Sequence, residues 1–296
     1  MAARLVMLPE CLNLSVKETS MELSTLFDLE SHGPDTFVGI GPKYPWGGLF
    51  GGQIVAQALR AAAATVEPTQ DVHSLRAYFI RRGDHTEPIR FEVDRIRNGR
   101  SFSTRRVVAR QAVGAILNLE ASFHAPENTA DVQTVPMDRS IPGPDELVSD
   151  AWTEAFDRRA VPRDRLDDQG RTGAGRSATW MRVTTDVPHS GADHQLLHRC
   201  WMAYMSDDMP ADTVRAAHPH FGGDDDHSHM FTASLDHTIW FHRPLLADQW
   251  HLYDFSCHGF TGARGLGIGH VFTTDGTHVA TVAQEVLMRD ARQRQD

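Results

Sequence analysis

Three polar side chains of this sequence fall where the surrounding pattern predicts burial, and the first is Asp207. The apolar spacing predicts a helix over 196–209, with Asp207 eleven residues after Leu196 and seven after Cys200. This spacing puts its carboxylate on the buried stripe of the helix. A buried carboxylate costs free energy unless it is hydrogen-bonded or used in proton transfer. Because Asp208 follows directly, a solvated acidic pair in a frayed last turn is an equally open interpretation.

The other two side chains, Ser234 and Gln284, lie on predicted strands. Ser234 alternates with apolar neighbours in a strand over 231–242, which predicts that its hydroxyl shares a face with Asp236 and Trp240. Gln284 stands among apolar residues on its face of a very hydrophobic strand, where a lone amide needs specific partners. An ordinary strand hydroxyl and a structural amide hydrogen bond explain the two residues as well as a function does. The pattern alone leaves both interpretations open.

Motifs for other chemistries are absent from the sequence. It contains no G-x-S-x-G nucleophile elbow, no phosphate loop and no dinucleotide-binding glycine pattern. The stretch from His218 to His229 holds possible metal ligands, but its hydrophilic composition favours an ordinary loop. Cys11, Cys200 and Cys257 show no metal-binding spacing, which indicates reduced thiols. We therefore expect neither a metal nor a cofactor.

The charge balance excludes broad nucleic-acid binding, because 29 basic and 39 acidic residues leave a net charge of −10. A hydrophobic content of 41% is sufficient for packed cores. No run of about 18 apolar residues predicts a membrane span. Glu10 interrupts the apolar N-terminal stretch, and no cleavage pattern follows it. These features predict a cytoplasmic protein without a membrane span.

The elements that must position the three side chains form an α+β pattern. A short helix is predicted over 21–32, and the apolar stripe after a Gly-Gly pair predicts a long, alanine-rich helix over 53–66. Strands follow on both sides of the Asn98-Gly99 turn signal and of Gly114. One helix followed by several long strands predicts an antiparallel sheet and excludes alternating β–α–β units.

The sequence also repeats itself. A Tyr-Phe-x-Arg motif at 78–81 recurs as Trp-Phe-x-Arg at 240–243, which is an offset of 162 residues. A duplicated scaffold whose copies differ in their polar residues predicts one working site and one structural copy. The same offset matches Val72 with Ser234, and Ser122 with Gln284.

Composition divides the chain into three predicted parts. The first is an N-terminal domain over 21–126. Residues 127–176 are rich in Pro, Asp, Arg and Gly and are typical of a linker, with a short helix near 146–156. The second copy forms a C-terminal domain over 177–296.

Several long segments resemble the acyl-CoA thioesterase II family of double-hotdog thioesterases. They follow the family's order through about residues 25–290, the linker excepted, which makes the resemblance highly specific. The segments are Leu49–Leu59, His73–Asp84, Asn98–Val107, Ala121–Phe123, Ala203–Asp207, Leu235–Pro244 and Val282–Arg289.

The resemblance implies two tandem hotdog repeats, each an antiparallel sheet wrapped around a long helix. It also implies hydrolysis of fatty acyl-CoA to free fatty acid and CoA. The family's Asp, Thr or Ser, and Gln fall on Asp207, Ser234 and Gln284, and the frequent Thr is Ser here. These residues would position a water for attack on the thioester without a covalent intermediate or a metal. Backbone N–H groups near a helix end would stabilise the oxyanion.

Two other functions stay open at this level. A non-catalytic acyl-CoA-binding protein would bind the thioester without releasing the thiol. A hotdog enoyl-CoA hydratase would need an Asp–His pair, but no histidine follows Asp207 at short spacing. Because hotdog sheets usually pair with one another, we expect a homo-oligomer, either a dimer or a tetramer.

Overall fold

The structure is a computed structural model that describes residues 23–166, 175–219 and 229–290. Within these ranges the α-helices are α1 (Gly51–Ala63), α2 (His194–Ser206) and α3 (Met209–Ala217). Its strands are β1 (Glu30–Ser31), β2 (Thr36–Gly39), β3 (Asp71–Phe79), β4 (Ile89–Asn98), β5 (Phe102–Gln111), β6 (Gly114–His124), β7 (Phe156–Ala160), β8 (Arg176–Val183), β9 (Met230–Ser234), β10 (Asp236–Phe241), β11 (His251–Thr261), β12 (Arg264–Thr273) and β13 (His278–Asp290).

The strands form one antiparallel sheet that runs through both halves of the chain. Its order is β1-β2-β4-β5-β6-β3-β10-β13-β12-β11-β8-β7, and β9 also pairs with β13. The two halves meet where β3 pairs with β10, with Leu75 opposite Ile239. The predicted antiparallel α+β architecture is therefore present, and the joint between the repeats is itself a strand pair.

Helices α1 and α2 pack against each other beneath this sheet. The apolar stripe predicted for α1 is buried, and Ile54 and Leu59 belong to the core that the two halves share. Burying each of these side chains contributes roughly 1.5–3 kcal/mol. Ala61 and Ala62 are fully buried, so the small side chains of α1 let its neighbours approach closely.

A β-bulge separates β9 from β10. Ser234 pairs with Val286 and Thr238 with Ala283, so four steps along one strand match three along β13. The extra residue turns the Ser234 side chain to the inner face of the sheet, where the side chain of Val286 also lies, whereas Trp240 is on the outer face. The prediction that Ser234 shares a face with Asp236 and Trp240 is therefore wrong, because simple alternation does not survive a bulge.

The first half has a bulge at the matching place in β3. Val72 pairs with Phe123 in β6, and Ser234 pairs with Val286 in β13. The offset between β6 and β13 is therefore 163 residues, one more than the 162 of the predicted repeat. The structural counterpart of Gln284 is therefore the buried Ala121. The predicted match of Gln284 with Ser122 is wrong, because it assumed the same offset of 162 residues for every strand, whereas the second half has one additional residue before β13.

Two predicted helices are also wrong. In place of the helix over 21–32 there is a 3-10 turn at Leu23–Thr25, followed by β1 and β2. In place of the helix near 146–156 there is a 3-10 turn at Pro144–Glu146. Segment 127–176 then adds β7 to the edge of the sheet beside β8. The predicted domain boundaries at 126 and 176 stay a prediction.

The predicted helix over 196–209 ends at Ser206, and a second helix, α3, begins at once. Pro210 occupies the first turn of α3, where its missing N–H costs no helical hydrogen bond. The chain is therefore helical again to Ala217, and residues 220–228 lie outside the described residues.

Arg158 fixes the junction between α2 and α3. Its side chain is 11% exposed and forms ion pairs with Asp150, Asp208 and Asp212. The Arg158 Nε atom lies 2.7 Å from Asp208 Oδ2, and the indole N–H of Trp152 donates to Asp208 Oδ1 at 2.6 Å. Two residues from the segment predicted to be a linker thus hold the end of α2 in place.

We predict that Arg158→Met lowers the free energy of unfolding by about 3–5 kcal/mol, because it leaves several carboxylates without their shared counter-charge. Urea denaturation of both proteins measures the difference. The control is Arg106→Met, which breaks an exposed pair with Asp94 and is expected to cost less than about 1 kcal/mol. Equal losses in the two variants would contradict the anchoring role of Arg158.

Candidate active site

Asp207 is the residue that directly follows α2, with helical backbone angles of −76° and −12°. Its side chain faces the first turn of α1, where the backbone N–H of Gly52 donates a hydrogen bond to the carboxylate. The N-terminus of a helix carries partial positive charge and unpaired N–H groups. The carboxylate therefore lies where the backbone of the other half stabilises negative charge.

The two glycines that begin α1 allow this approach. A Cβ atom at Gly51 would stand 2.5 Å from Asp207 Oδ2 and 2.9 Å from the ring of Phe79. A Cβ atom at Gly52 would stand 2.2 Å from the carbonyl oxygen of Tyr204. Real side chains do not approach so closely, so the Gly-Gly pair is required by the contact between the helix ends.

The three residues selected from the sequence meet at this point. The Ser234 hydroxyl donates to Asp207 Oδ1 at 2.9 Å, and the Gln284 amide nitrogen donates to Ser234 Oγ at 2.7 Å. Asp207 is 7% exposed, Ser234 is partly exposed and Gln284 is fully buried. The alternative of a solvated acidic pair at a frayed helix end is excluded, because both Asp207 and Asp208 are held by hydrogen bonds.

Burial raises the pKa of Asp207 to about 7. Hydrogen bonds from Ser234, Gln284 and the Gly52 backbone oppose that shift, and the nearby charge of Asp208 adds to it. A carboxylic acid with a pKa near neutrality is suited to take up and release a proton at physiological pH. A surface aspartate, with a pKa near its ordinary value, would be a much weaker base.

Two further residues of this network were not selected from the sequence. His237 is fully buried, and its Nδ1 contacts Gln284 Oε1 while its Nε2 lies 2.8 Å from Ser206 Oγ. His237 stands three residues after Ser234, which simple strand alternation assigns to the opposite face. The bulge puts both on the inner face, and nothing in the apolar pattern signals it.

Apolar residues stand in the first half at the positions that correspond to Asp207, Ser234 and Gln284. Helices α1 and α2 each have 13 residues, so Ala64 follows α1 as Asp207 follows α2. Val72 stands for Ser234, and Ala121 stands for Gln284. The expectation that only the second copy holds the polar set therefore agrees with the strand register, although one of its matches was misplaced.

One cluster of possible metal ligands exists among the described residues. His189, His198 and Asp248 each place one ligand atom within 4.8 Å of the others. However, the Ala247 N–H donates to His198 Nδ1 at 3.0 Å, and burial lowers the pKa of this ring. The neutral ring then carries its proton on Nε2 and has no lone pair there for a metal. Of the other possible metal ligands, between His218 and His229, those within residues 220–228 lie outside the described residues.

Aromatic rings cover the side of the site next to the start of α1. Phe50 precedes the helix, and its ring centroid lies 5.2 Å from that of Trp152. Trp46 lies 4.9 Å from Trp152 and is 45% exposed. The polar network thus has an apolar wall beside it. No helix among the described residues combines the length and apolarity that a membrane crossing requires.

Comparison with known proteins matches the chain to two family models. Residues 41–124 match the family described as "Acyl-CoA thioesterase N-terminal domain", and residues 126–288 match "Acyl-CoA thioesterase C-terminal domain". Human acyl-coenzyme A thioesterase 8 is 32% identical over 294 residues, which cover 91% of this chain and 89% of the relative.

Solved structures agree in fold. The acyl-CoA thioesterase II TesB2 from Mycobacterium marinum is 36% identical, with 93% of this chain and 99% of that chain covered and a TM-score of 0.78. A hot dog fold protein from Alicyclobacillus acidocaldarius, 20% identical, covers 90% of this chain and 97% of its own with a TM-score of 0.72. The predicted double-hotdog fold is confirmed. Since both halves match their family and the relatives cover most of its length, the chain belongs to the acyl-CoA thioesterase family.

Proposed function

We propose that this protein hydrolyses the thioester of fatty acyl-CoA to free fatty acid and CoA, with Asp207 directing a water molecule. Membership of the acyl-CoA thioesterase family supports the reaction. The observation that carries the mechanism is the chain of hydrogen bonds that joins Gln284, Ser234 and a barely exposed Asp207.

The proposed reaction has two steps. A water that contacts Asp207 and Ser234 attacks the thioester carbonyl carbon, and the Asp207 carboxylate takes its proton as the new C–O bond forms. The tetrahedral intermediate then breaks its C–S bond, and the proton held by Asp207 passes to the departing CoA sulfur. Gln284, which is fully buried, donates to Ser234 and holds the other two groups in place. No covalent acyl-enzyme is formed.

The start of α1 is the proposed source of oxyanion stabilisation. The first N–H groups of a helix have no partner within it, and that of Gly52 already donates to Asp207. The remaining N–H groups of the same turn lie beside the carboxylate and are suited to a developing oxyanion. The aromatic wall of Phe50, Trp46 and Trp152 supports an apolar acyl group as the substrate.

The two alternatives are less well supported. In a hydratase a histidine must exchange protons with the substrate, but both ring nitrogens of His237 have partners and the ring is fully buried. A protein that only binds acyl-CoA has no need of a carboxylate whose pKa is raised to about 7. A coupled assay for thiol release with acyl-CoA of several chain lengths separates the three functions.

We also propose that the chain forms a dimer or tetramer through the outer face of the sheet. Tyr78 and Trp240 are 49% and 44% exposed on this face, next to the ion pair of Arg76 and Asp236. Such a mixed surface can pair with a second copy of itself. We expect Trp240→Glu to lower the molar mass measured by light scattering, and a wild-type monomer would contradict the proposal.

We further propose the cytoplasm as the compartment of the protein, which the free and buried thiol of Cys200 supports. Subcellular fractionation tests this proposal.

We predict that Asp207→Asn and Gln284→Ala each lower kcat by about 100-fold or more, the usual scale for a positioned base or donor. Steady-state thiol release measures this, and circular dichroism checks that the fold is unchanged. Rates within a few-fold of wild type in both variants would exclude the mechanism.

The pH dependence of the wild type gives a further prediction. Because the carboxylate of Asp207 is the active form, kcat/KM should rise with pH through about 7 and then level off.

We predict that Ser234→Thr keeps most of the activity, whereas Ser234→Ala loses it. Threonine retains the hydroxyl that accepts from Gln284 and donates to Asp207, and alanine removes it. The decisive measurement is the ratio of kcat between the two variants at saturating substrate. Equal rates for alanine and threonine would show that the hydroxyl has no part in the reaction.

A further inference from the structure

His237 occupies a buried position between the end of α2 and Gln284. The ring is fully buried, its Nδ1 contacts Gln284 Oε1, and its Nε2 lies 2.8 Å from the hydroxyl oxygen of Ser206. Ser206 and Asp207 are consecutive residues. A closed circuit of hydrogen bonds thus leaves the end of α2 through Ser206 and returns to it at Asp207.

The partners of this ring fix its protonation. In the structure the Gln284 amide nitrogen faces Ser234, and the amide oxygen, which can only accept a hydrogen bond, faces His237. The proton therefore lies on Nδ1. Burial lowers the pKa of His237 to about 4, so the ring is neutral near pH 7 and its Nε2 carries a lone pair. The Ser206 hydroxyl lies 3.1 Å from the Ala203 carbonyl oxygen and 2.8 Å from this Nε2, and with Nδ1 protonated it donates to Nε2.

The circuit has one direction as a result. Ser206 donates to His237, His237 donates to Gln284, Gln284 donates to Ser234, and Ser234 donates to Asp207. A primary amide is nearly symmetric in shape, and only its partners decide which end is the donor. Without a donor facing Oε1, the amide of Gln284 can turn over and present its oxygen to Ser234.

The first half of the chain, which lacks the polar set, supports the view that these residues act as a unit. His237 corresponds to Leu75, since their neighbours Ile239 and Ala77 hold matching places in β10 and β3. Ser206 ends α2 as Ala63 ends α1. All members of the circuit are therefore replaced by apolar residues in the first half. The five counterparts, in the order of the circuit, are Ala63, Leu75, Ala121, Val72 and Ala64.

We propose that His237, held by Ser206, is a positioning residue that keeps the Gln284 amide oriented as a donor toward Ser234 and Asp207. The inference rests on the proposed function of those three residues. His237 does not touch the substrate, because its ring has no exposed surface. Its effect is on the direction of the hydrogen bonds that reach the base.

The test compares His237→Leu with His237→Asn. Leucine is the residue at the matching position of the first half, Leu75. It fills a volume similar to that of histidine and removes the N–H that donates to Gln284. Asparagine places an amide N–H near the former Nδ1 and can still donate to Gln284. For His237→Leu we expect kcat to fall by about 10- to 100-fold, the scale of a misplaced catalytic group, while KM changes by less than about threefold. For His237→Asn we expect partial or full rescue of kcat.

The pH profile separates positioning from a loss of packing. When Ser234 and Gln284 no longer donate to Asp207, its pKa rises, so the midpoint of kcat/KM should move to higher pH in His237→Leu. The charges of Asp208 and its partner Arg158 are the same in all variants. The control is His251→Leu, another buried histidine. His251 pairs with Thr273 of β12, and Gln284 pairs with Gly267 of the same strand. These two partners are six residues apart, so His251 lies about 20 Å from Gln284 along the strand direction.

Ser206→Ala provides a second test that does not depend on the folding of His237→Leu, since alanine is found at the matching Ala63. We expect a smaller fall in kcat with the midpoint again moved upward. An unchanged midpoint in His237→Leu and Ser206→Ala would overturn the proposal, whatever the loss of kcat. If Asp207→Asn retained activity, the proposed mechanism itself would fail, which is a separate outcome.

Discussion

The whole arrangement depends on one buried carboxylate at the place where two helices meet end to end. Asp207 is removed from water at a cost in free energy, and hydrogen bonds from Ser234, Gln284 and the backbone of Gly52 offset part of that cost. The balance leaves its pKa near 7. More donors would make a weaker base, and fewer would leave the group protonated. The requirement for glycine at the start of α1 follows from the same contact.

Several features around the site exist to hold this contact. Arg158 and Trp152 fix Asp208, and with it the junction between α2 and α3. The bulge between β9 and β10 turns Ser234 and His237 to the same side of the sheet. The N–H of Glu285, which the bulge leaves without a strand partner, donates to the side chain of Asp236 at 2.7 Å. The irregular part of the sheet is thus stabilised locally, and the polar residues depend on it.

The sequence was sufficient for the architecture and for the selection of three side chains that the fold brings together. The repeat, the long helix and the apolar strand around Gln284 are local patterns, and the family motifs lie within them. It was not sufficient for His237 or for the face of Ser234, because a one-residue bulge changes side-chain direction without changing composition. The counterpart of Gln284 was misplaced for the same reason. The role of the segment 127–176 was also missed, since ion pairs such as that of Arg158 with Asp212 join residues remote in sequence.

The start of α1 belongs to the repeat that lacks these polar residues, yet it touches Asp207 of the other repeat. Neither hotdog repeat therefore contains all the groups that contact this carboxylate. Substitutions at the glycines of the first repeat would therefore disturb a contact whose carboxylate lies in the second. A gene split between the copies would yield two polypeptides that must reassociate before either contributes to turnover.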